Sequence, residues 1–367
     1  DGTVGKFITS SHYMNQLPAW LNDFNNLQLA KKYLTQGWNT LYPLNTYMES
    51  IADNNNYEQA PNKKDTAIFP YMYKAQLDKN NFEILKATPF GNTITKDIAL
   101  ACLKAEQLGK GNQTDMLCIS FSSTDYVGHS YGPRSVEIED VYLRLDKDLE
   151  ELINVINSTI GKDNVVIFLT ADHGACDVPA HLKDLKIPGG YIKEDELTKT
   201  IKTFCFNQFG DSLVSEMVNQ QLFLDEAKMQ NLKLNKFSVE HTLANFMLSV
   251  KGVAEAYPSE ALKYEQYTEG SFKSLIQKGY NHVRSGNVAF SYNPAWMEYH
   301  TKGTTHGASY SYDTHVPLIF YGMNIKQGST VNKVNIVDIA PTISMMLHTS
   351  FPNGTSGKPL VEILDSK

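Results

Sequence analysis

Five consecutive apolar residues, Val165-Val166-Ile167-Phe168-Leu169, run directly into Thr170-Ala171-Asp172-His173-Gly174. A strand without polar alternation is covered on both faces, and such strands belong to sheets with helices packed on each side. That restricts the chain to an α/β fold class. Upstream, Met116-Leu117-Cys118-Ile119-Ser120-Phe121 reads as a second strand of the same kind. Between them, residues 135–160 carry Val136, Leu143, Leu145, Leu149, Leu152, Ile153 and Ile156 at near-helical spacing. Ser135 suits the N-cap. Ile138, not Glu or Gln, follows three residues later, so no capping box forms. Gly161 ends the helix. Strand, long helix and strand predict a βαβ unit with a right-handed crossover.

The rest of the chain repeats the idea. Residues 11–25 place Tyr13, Met14, Leu17, Trp20, Leu21 and Phe24 on one helical face, and residues 93–108 form a helix stopped by Gly109. Residues 316–322 read as another buried strand, and residues 338–342 open a helix with Pro341 in its first turn. Residues 191–300 are mixed, with a helix over 239–248 and a strand over 288–292. The expected organisation is an α/β core of residues 1–190 and 301–367, with 191–300 inserted as a cap. The Asn-rich run at 53–56 and its polar continuation to Asp65 read as a surface excursion.

Composition removes several function classes. With 42% hydrophobic and 20% charged residues, the chain is not disordered in the main. Its 33 Lys+Arg against 40 Asp+Glu give a net charge of −7, which leaves no footprint for nucleic acid or anionic lipid. No apolar run approaches the ~20 residues of a membrane helix. Cys102, Cys118, Cys176 and Cys205 show no Cys-x-x-Cys spacing and read as small buried hydrophobes. The first residues, Asp1 to Lys6, are not a signal peptide and lack an initiator Met, which reads as a processed or truncated end.

The chemistry lies just after the apolar strands. Asp125 and His129 follow the first, and Asp172 and His173 follow the second. In open α/β sheets, ligands bind outside the carboxyl ends of the strands. On a helix, residues four apart share a face, but Gly128 and Pro133 place Asp125 and His129 on a loop. Carboxylate and imidazole are the oxygen and nitrogen donors of zinc sites. Each pair alone also has an ordinary reading, as a strand-end Asp bonding backbone amides or as an Asp-His-Gly turn. Two pairs on successive strand ends point instead to a two-metal site. Such sites hold ions ~3.5–4 Å apart and clamp the oxygens of a phosphoryl transfer. His306, flanked by Thr305 and Gly307, completes a set of one carboxylate and two imidazoles with Asp125 and His129. The other histidines lack an equivalent carboxylate partner, and His181 lies nearest in sequence to the second pair. Asp177 and Asp313 read as supporting or structural acids. The 20 Tyr and 17 Phe are packing residues rather than a base-stacking platform.

Taken in order, Asp-Tyr-Val-Gly-His-Ser-Tyr-Gly-Pro (125–133), Thr-Ala-Asp-His-Gly (170–174), Thr-His-Gly (305–307), His-Val-Pro-Leu-Ile-Phe-Tyr-Gly (315–322) and Asp-Ile-Ala-Pro-Thr (338–342) resemble the alkaline phosphatase superfamily. Within it they are similar to bacterial secreted alkaline phosphatases of the PafA type, in the nucleotide pyrophosphatase/phosphodiesterase-like branch. Tyr13 to Trp20, Pro89 to Asn92 and Ser291 to Trp296 extend the resemblance over nearly the whole chain.

The resemblance implies a mostly parallel sheet sandwiched by helices and two Zn2+ ions. Asp125, His129 and His306 would hold one, and Asp172 and His173 are two ligands of the other. It also implies a third ligand Asp, a Thr or Ser nucleophile and a phosphate-gripping Lys and Arg, all upstream of residue 1. On that reading these residues are the C-terminal two-thirds of a phosphatase, the sheet has an uncovered edge, and the chain's partner is its own N-terminal segment. No nucleophile is identified here. Thr93, Thr95, Thr304 and Thr305 are the hydroxyls weighed and set aside. The implied activity is hydrolysis of small phosphate monoesters through a covalent phosphoenzyme. The alternatives are a phosphodiesterase or sulfatase-like hydrolase of the same superfamily, or a zinc-binding fragment without chemistry. Periplasmic or secreted localisation follows from the resemblance alone.

Overall fold

In the computed structural model the described residues are 1–60 and 66–364, so the last part of the polar excursion, 61–65, lies outside them. The long helix forms as expected, over Val136–Thr159, and Ser135 Oγ accepts from the Ile138 amide at 3.1 Å. Ile138 and Val141 sink its first turns into a cluster with Trp38, Tyr71, Tyr73, Phe90, Val127 and Tyr131. Leu152 and Ile156 bury its last turns against Leu103, with Ile119, Phe121, Val165 and Ile167 alongside. One helix therefore spans two hydrophobic clusters, and its start lies beneath the helix that carries Asp125.

Local chemistry shifts two boundaries. The helix expected at 93–108 runs over Pro89–Ala105, because Pro89 occupies a first-turn position where its missing N–H costs nothing. The helix expected at 11–25 runs only over Ala19–Asn26, because Pro18 pushes the preceding residue out of the helical region.

The strands depart further. Val166–Thr170 pairs antiparallel with Leu318–Gly322, in register from Val166↔Gly322 to Thr170↔Leu318. Met116 to Phe121 joins no ladder among the described residues, so the expected parallel βαβ pair does not close. With one ladder neighbour, Val166–Thr170 is only half-buried rather than covered on both faces. Cys118, on the unpaired run, is exposed, and Cys102 is half-buried. Only Cys176 and Cys205 behave as buried hydrophobes, and all four thiols are free. The α/β class stands. Among the described residues, however, the parallel ladder is Gly190–Ile192 beside Trp296–Glu298, and the other ladders are antiparallel.

That parallel ladder brings residue 190 beside residue 296. The chain between them builds an antiparallel sheet of Val214–Val218, Gln221–Leu224, Val288–Tyr292 and Val253–Pro258. Its core is Leu197, Ile201, Leu213, Leu222, Leu243 and Met247 with the sheet residues. Near the C-terminus, Asn335 and Asp338 form a reciprocal capping box ahead of Ile339–Met346, with Pro341 in the first turn.

Two acids are buried where the long helix begins. Glu137 is wholly buried and accepts from the Tyr71 hydroxyl, and Glu58, 1% exposed, accepts from Asn55 Nδ2 at 2.6 Å. Each leaves its second oxygen unpartnered. Burial, then the charge of Glu137, pushes Glu58 up to about 9, and burial pushes Glu137 up to about 7. Both exceed the ordinary value of 4.5. The folded chain therefore holds protons that the unfolded chain releases, and these acids cost stability as pH rises from 4.5 through their folded values. Glu58→Gln should raise the urea midpoint at pH 8.5 relative to wild type and leave it unchanged near pH 4.5. An equal change at both values would contradict this account.

Candidate metal centre

Asp125 and His129 lie on a helix, Ser123–Tyr131, not on the expected loop. Gly128 is tolerated within it for ~1 kcal/mol, and Pro133 falls beyond Gly132, whose φ of 86° ends the helix. Ser123, Val127 and Tyr131 bury the opposite face. Asn92 pins the helix start, accepting from the Ser123 amide at 3.1 Å and donating to Thr124 Oγ1 at 3.0 Å. The four-residue spacing then puts both side chains on one face, with His129 Nε2 3.4 Å from Asp125 Oδ2.

A reciprocal backbone clamp joins this helix to the His306 segment. The Thr304 amide donates to the His129 carbonyl at 3.0 Å, and His129 Nδ1 meets the Thr304 carbonyl at 2.8 Å. Gly303 makes the approach feasible: its φ is 74°, and a Cβ there would lie 2.3 Å from the His129 oxygen. Gln59 fastens the same two segments. Its amide donates to the Ser130 carbonyl at 2.8 Å and its Nε2 to the Lys302 carbonyl at 2.6 Å. The Tyr299 ring stacks on His129 at 5.9 Å.

His306 Nε2 consequently sits 3.6 Å from Asp125 Oδ1, and His173 Nε2 sits 3.8 Å from the same oxygen. The ligand atoms of Asp125, His129 and His306 all fall within 4.8 Å of one another. The His173 and His306 rings stack at 3.3 Å with planes 10° apart. Asp172 stands apart from this group. Its side chain is 90% exposed, and its Oδ2 is 3.6 Å from His173 Nε2.

The electrostatics follow from the packing. Burial alone would raise Asp125, but the His129 bond and the charges of His129, His306 and His173 hold it below the usual carboxylate range. The bond to Asp125 raises His129, whereas burial and the neighbouring His173 lower His306. The Nδ1 atoms of His129 and His173 are each occupied by a carbonyl, Thr304 and Gly174 respectively, at 2.8 Å. A carbonyl only accepts, so each Nδ1 carries its proton and each Nε2 is the atom turned toward Asp125. One carboxylate with imidazole Nε2 atoms converging on it is a donor set that fits a divalent metal, which on binding would displace the proton that Asp125 favours on His129.

Three of the four hydroxyls set aside from the sequence, those of Thr93, Thr95 and Thr304, are occupied. Thr93 donates to Asp148 at 2.9 Å and Thr95 to the Gly91 carbonyl at 2.8 Å, both within a helix. Thr304, 1% exposed, donates to the Cys176 carbonyl at 2.8 Å. His181 packs on the Tyr57 ring, and Asp177 accepts from Arg134 at 2.8 Å. Gln59, Tyr299 and the Thr304 carbonyl carry no sequence signal, because the carbonyl is a group any residue owns and the Gln59 amide and Tyr299 ring meet segments far from them in the sequence.

The family model described as type I phosphodiesterase / nucleotide pyrophosphatase matches residues 7–315. The chain belongs to this family. Alkaline phosphatase PhoV of Synechococcus elongatus is 40% identical over 364 residues, covering 99% of this chain and 66% of that protein. Alkaline phosphatase PafA of Elizabethkingia meningoseptica is 38% identical over 366 residues, covering 99% of this chain and 67% of that protein. A crystal structure of wild-type alkaline phosphatase PafA superposes with a TM-score of 0.94 at 37% identity, over 100% of this chain and 70% of that one. The chain thus has the alkaline phosphatase-like α/β fold and spans about two thirds of the length of these curated relatives. Gly303→Ala should weaken zinc binding at least ~10-fold by displacing the clamp that orients His129. A chelator-competition titration measures this, and wild-type affinity in the variant would remove the clamp from the account.

Proposed function

We propose that this chain is the metal-binding part of a zinc-dependent phosphatase that hydrolyses small phosphate monoesters. The observation that carries the reading is Asp125, whose carboxylate lies within 3.8 Å of Nε2 of three histidines. It does so in a chain 38% to 40% identical to proteins named alkaline phosphatase. Asp125, His129 and His306 would hold one zinc ion, and Asp172 and His173 would offer two donors to a second. Bound there, zinc supplies Lewis-acid stabilisation of a leaving-group oxygen and lowers the pKa of water.

The chain's own residues do the positioning. Asp125 stays ionised because the imidazoles facing it favour its charge. His129 is held in one tautomer by Thr304, and His306 is kept neutral by burial and by His173. A fixed arrangement of this kind lowers a barrier by electrostatics that need no reorganisation when charge develops. We place the nucleophile of the covalent phosphoenzyme, and the Lys and Arg that grip phosphate, in a segment corresponding to the part of the relatives that this chain does not cover. Residues 191–300 are read as a cap over the core. Periplasmic or secreted localisation belongs to the same proposal.

A second reading, diester hydrolysis, is favoured by the family's description. The third is a zinc-binding fragment without chemistry. Hydrolysis of 4-nitrophenyl phosphate and bis(4-nitrophenyl) phosphate should be measured on the metal-stripped chain given zinc, alone and with the corresponding N-terminal segment of a relative. The expected result is no turnover alone, monoester turnover on adding the segment, and loss of both zinc and activity in His306→Ala. Turnover by the chain alone would place the nucleophile within it. Preference for the diester would favour the second reading, and inactivity in every combination the third.

A further inference from the structure

Three histidines face Asp125, one from a helix and two from loops, and the structure shows how the two loops are tied. Asp313 lies in the short Ser311–Thr314 helix and is 4% exposed. Its Oδ2 accepts two amides, Gly307 at 2.9 Å and Ala308 at 2.8 Å, which are the residues that follow His306. Its main-chain carbonyl accepts the Gly174 amide at 2.7 Å, the residue that follows His173. The Gly174 carbonyl in turn receives His173 Nδ1 at 2.8 Å. One residue is therefore bonded to the loop of His306 through its side chain and to the loop of His173 through its backbone.

The glycines in these loops answer to the same geometry. Gly307 has a φ of 113°, which lets two successive amides converge on a single oxygen. A Cβ on Gly174 would lie 2.1 Å from the Tyr312 carbonyl, so only glycine lets that loop close on residue 313. Behind them, Tyr312 packs with Cys176, Leu182, Ala295 and Met297 and accepts the Ala295 amide at 3.3 Å. The tie is thus anchored in a hydrophobic cluster rather than in solvent. Its product is the 3.3 Å stack of the His173 and His306 rings, which belong to the two metal half-sites.

We propose that Asp313 is the positioning residue that sets the register of His306 against His173, and so the spacing of the two metal half-sites. The inference rests on the reading that these histidines hold metal. Asp313 touches neither substrate nor metal in this role. Orienting partners of metal ligands change affinity by ~10- to 100-fold when removed, and Asp313 orients two loops at once.

The test is a zinc titration of the metal-stripped chain by chelator competition, with Co2+ absorption as a second readout, on wild type, Asp313→Ala, Asp313→Asn, His306→Ala and the Asp313→Ala/His306→Ala double variant. Asp313→Ala should bind zinc ~10- to 100-fold more weakly and shift the Co2+ spectrum. Asp313→Asn keeps a carbonyl oxygen for the two amides and should recover most of the affinity. In the His306→Ala background, Asp313→Ala should cost less than it does alone, because the side-chain tie acts through the His306 loop and coupled mutations are not additive. Unchanged zinc affinity in Asp313→Ala, or a full additional loss in the double variant, overturns the proposal. Should Asp313→Ala not fold, Asp313→Ser decides, since its shorter side chain does not reach both amides: weaker zinc binding and a shifted Co2+ spectrum support the proposal, and wild-type values for both overturn it. If His306→Ala itself binds zinc like wild type, the metal reading fails and not merely the role of Asp313.

Discussion

The reciprocal clamp between His129 and Thr304 is the interaction on which the rest of the centre depends. One backbone hydrogen bond and one from the His129 ring to a carbonyl fasten a helix end to a loop 175 residues later in the chain. Without them Asp125 and His129 form only a helical i,i+4 pair, of the kind found on many helix surfaces. With them, His306 is delivered to Asp125, and a third imidazole is stacked behind it. The clamp needs Gly303, since its Cβ-free approach allows the two backbones to touch, and it needs the His129 helix to end where Gly132 ends it.

Everything beneath this contact holds the two elements still. The long Val136–Thr159 helix lies under the Asp125 helix and shares a cluster with it through Val127, Tyr131, Ile138 and Val141. Asn92 fixes the helix start, and Gln59 ties its end to Lys302. Burial and the charge of Glu137 push the carboxyl of Glu58, next to Gln59, toward its neutral form, which lessens the cost of an acid so deeply buried.

Asp125 is held ionised among imidazoles and His306 is pushed toward its neutral form, while Asp125 pushes His129 toward protonation, so a metal entering the centre would displace the His129 proton. The exposure of Asp172 contrasts with the half-buried Asp125, so the two predicted half-sites differ in how far this chain alone builds them.

Much of this was legible in the residues. The apolar run at 165–169 determined an α/β chain, Ser135 and the spacing after it determined the long helix, and the acid-histidine pairs with His306 named Asp125, His129, His173 and His306, which the fold brings together, and Asp172, which stands apart from them. Chemistry written in side-chain type and short-range spacing survives in the linear text. What tertiary structure decided was partnership. The strand at 166–170 pairs antiparallel with one some 150 residues later, and Met116 to Phe121 joins no ladder, because apolar runs state that they must be buried but not by whom. Asp125 and His129 became a helical pair because Gly128 costs a helix about 1 kcal/mol, which packing of Val127 and Tyr131 outweighs. The roles of Gln59, Thr304 and Asp313 rest on where carbonyls and amides meet in space, and a sequence does not record the address of a backbone hydrogen bond.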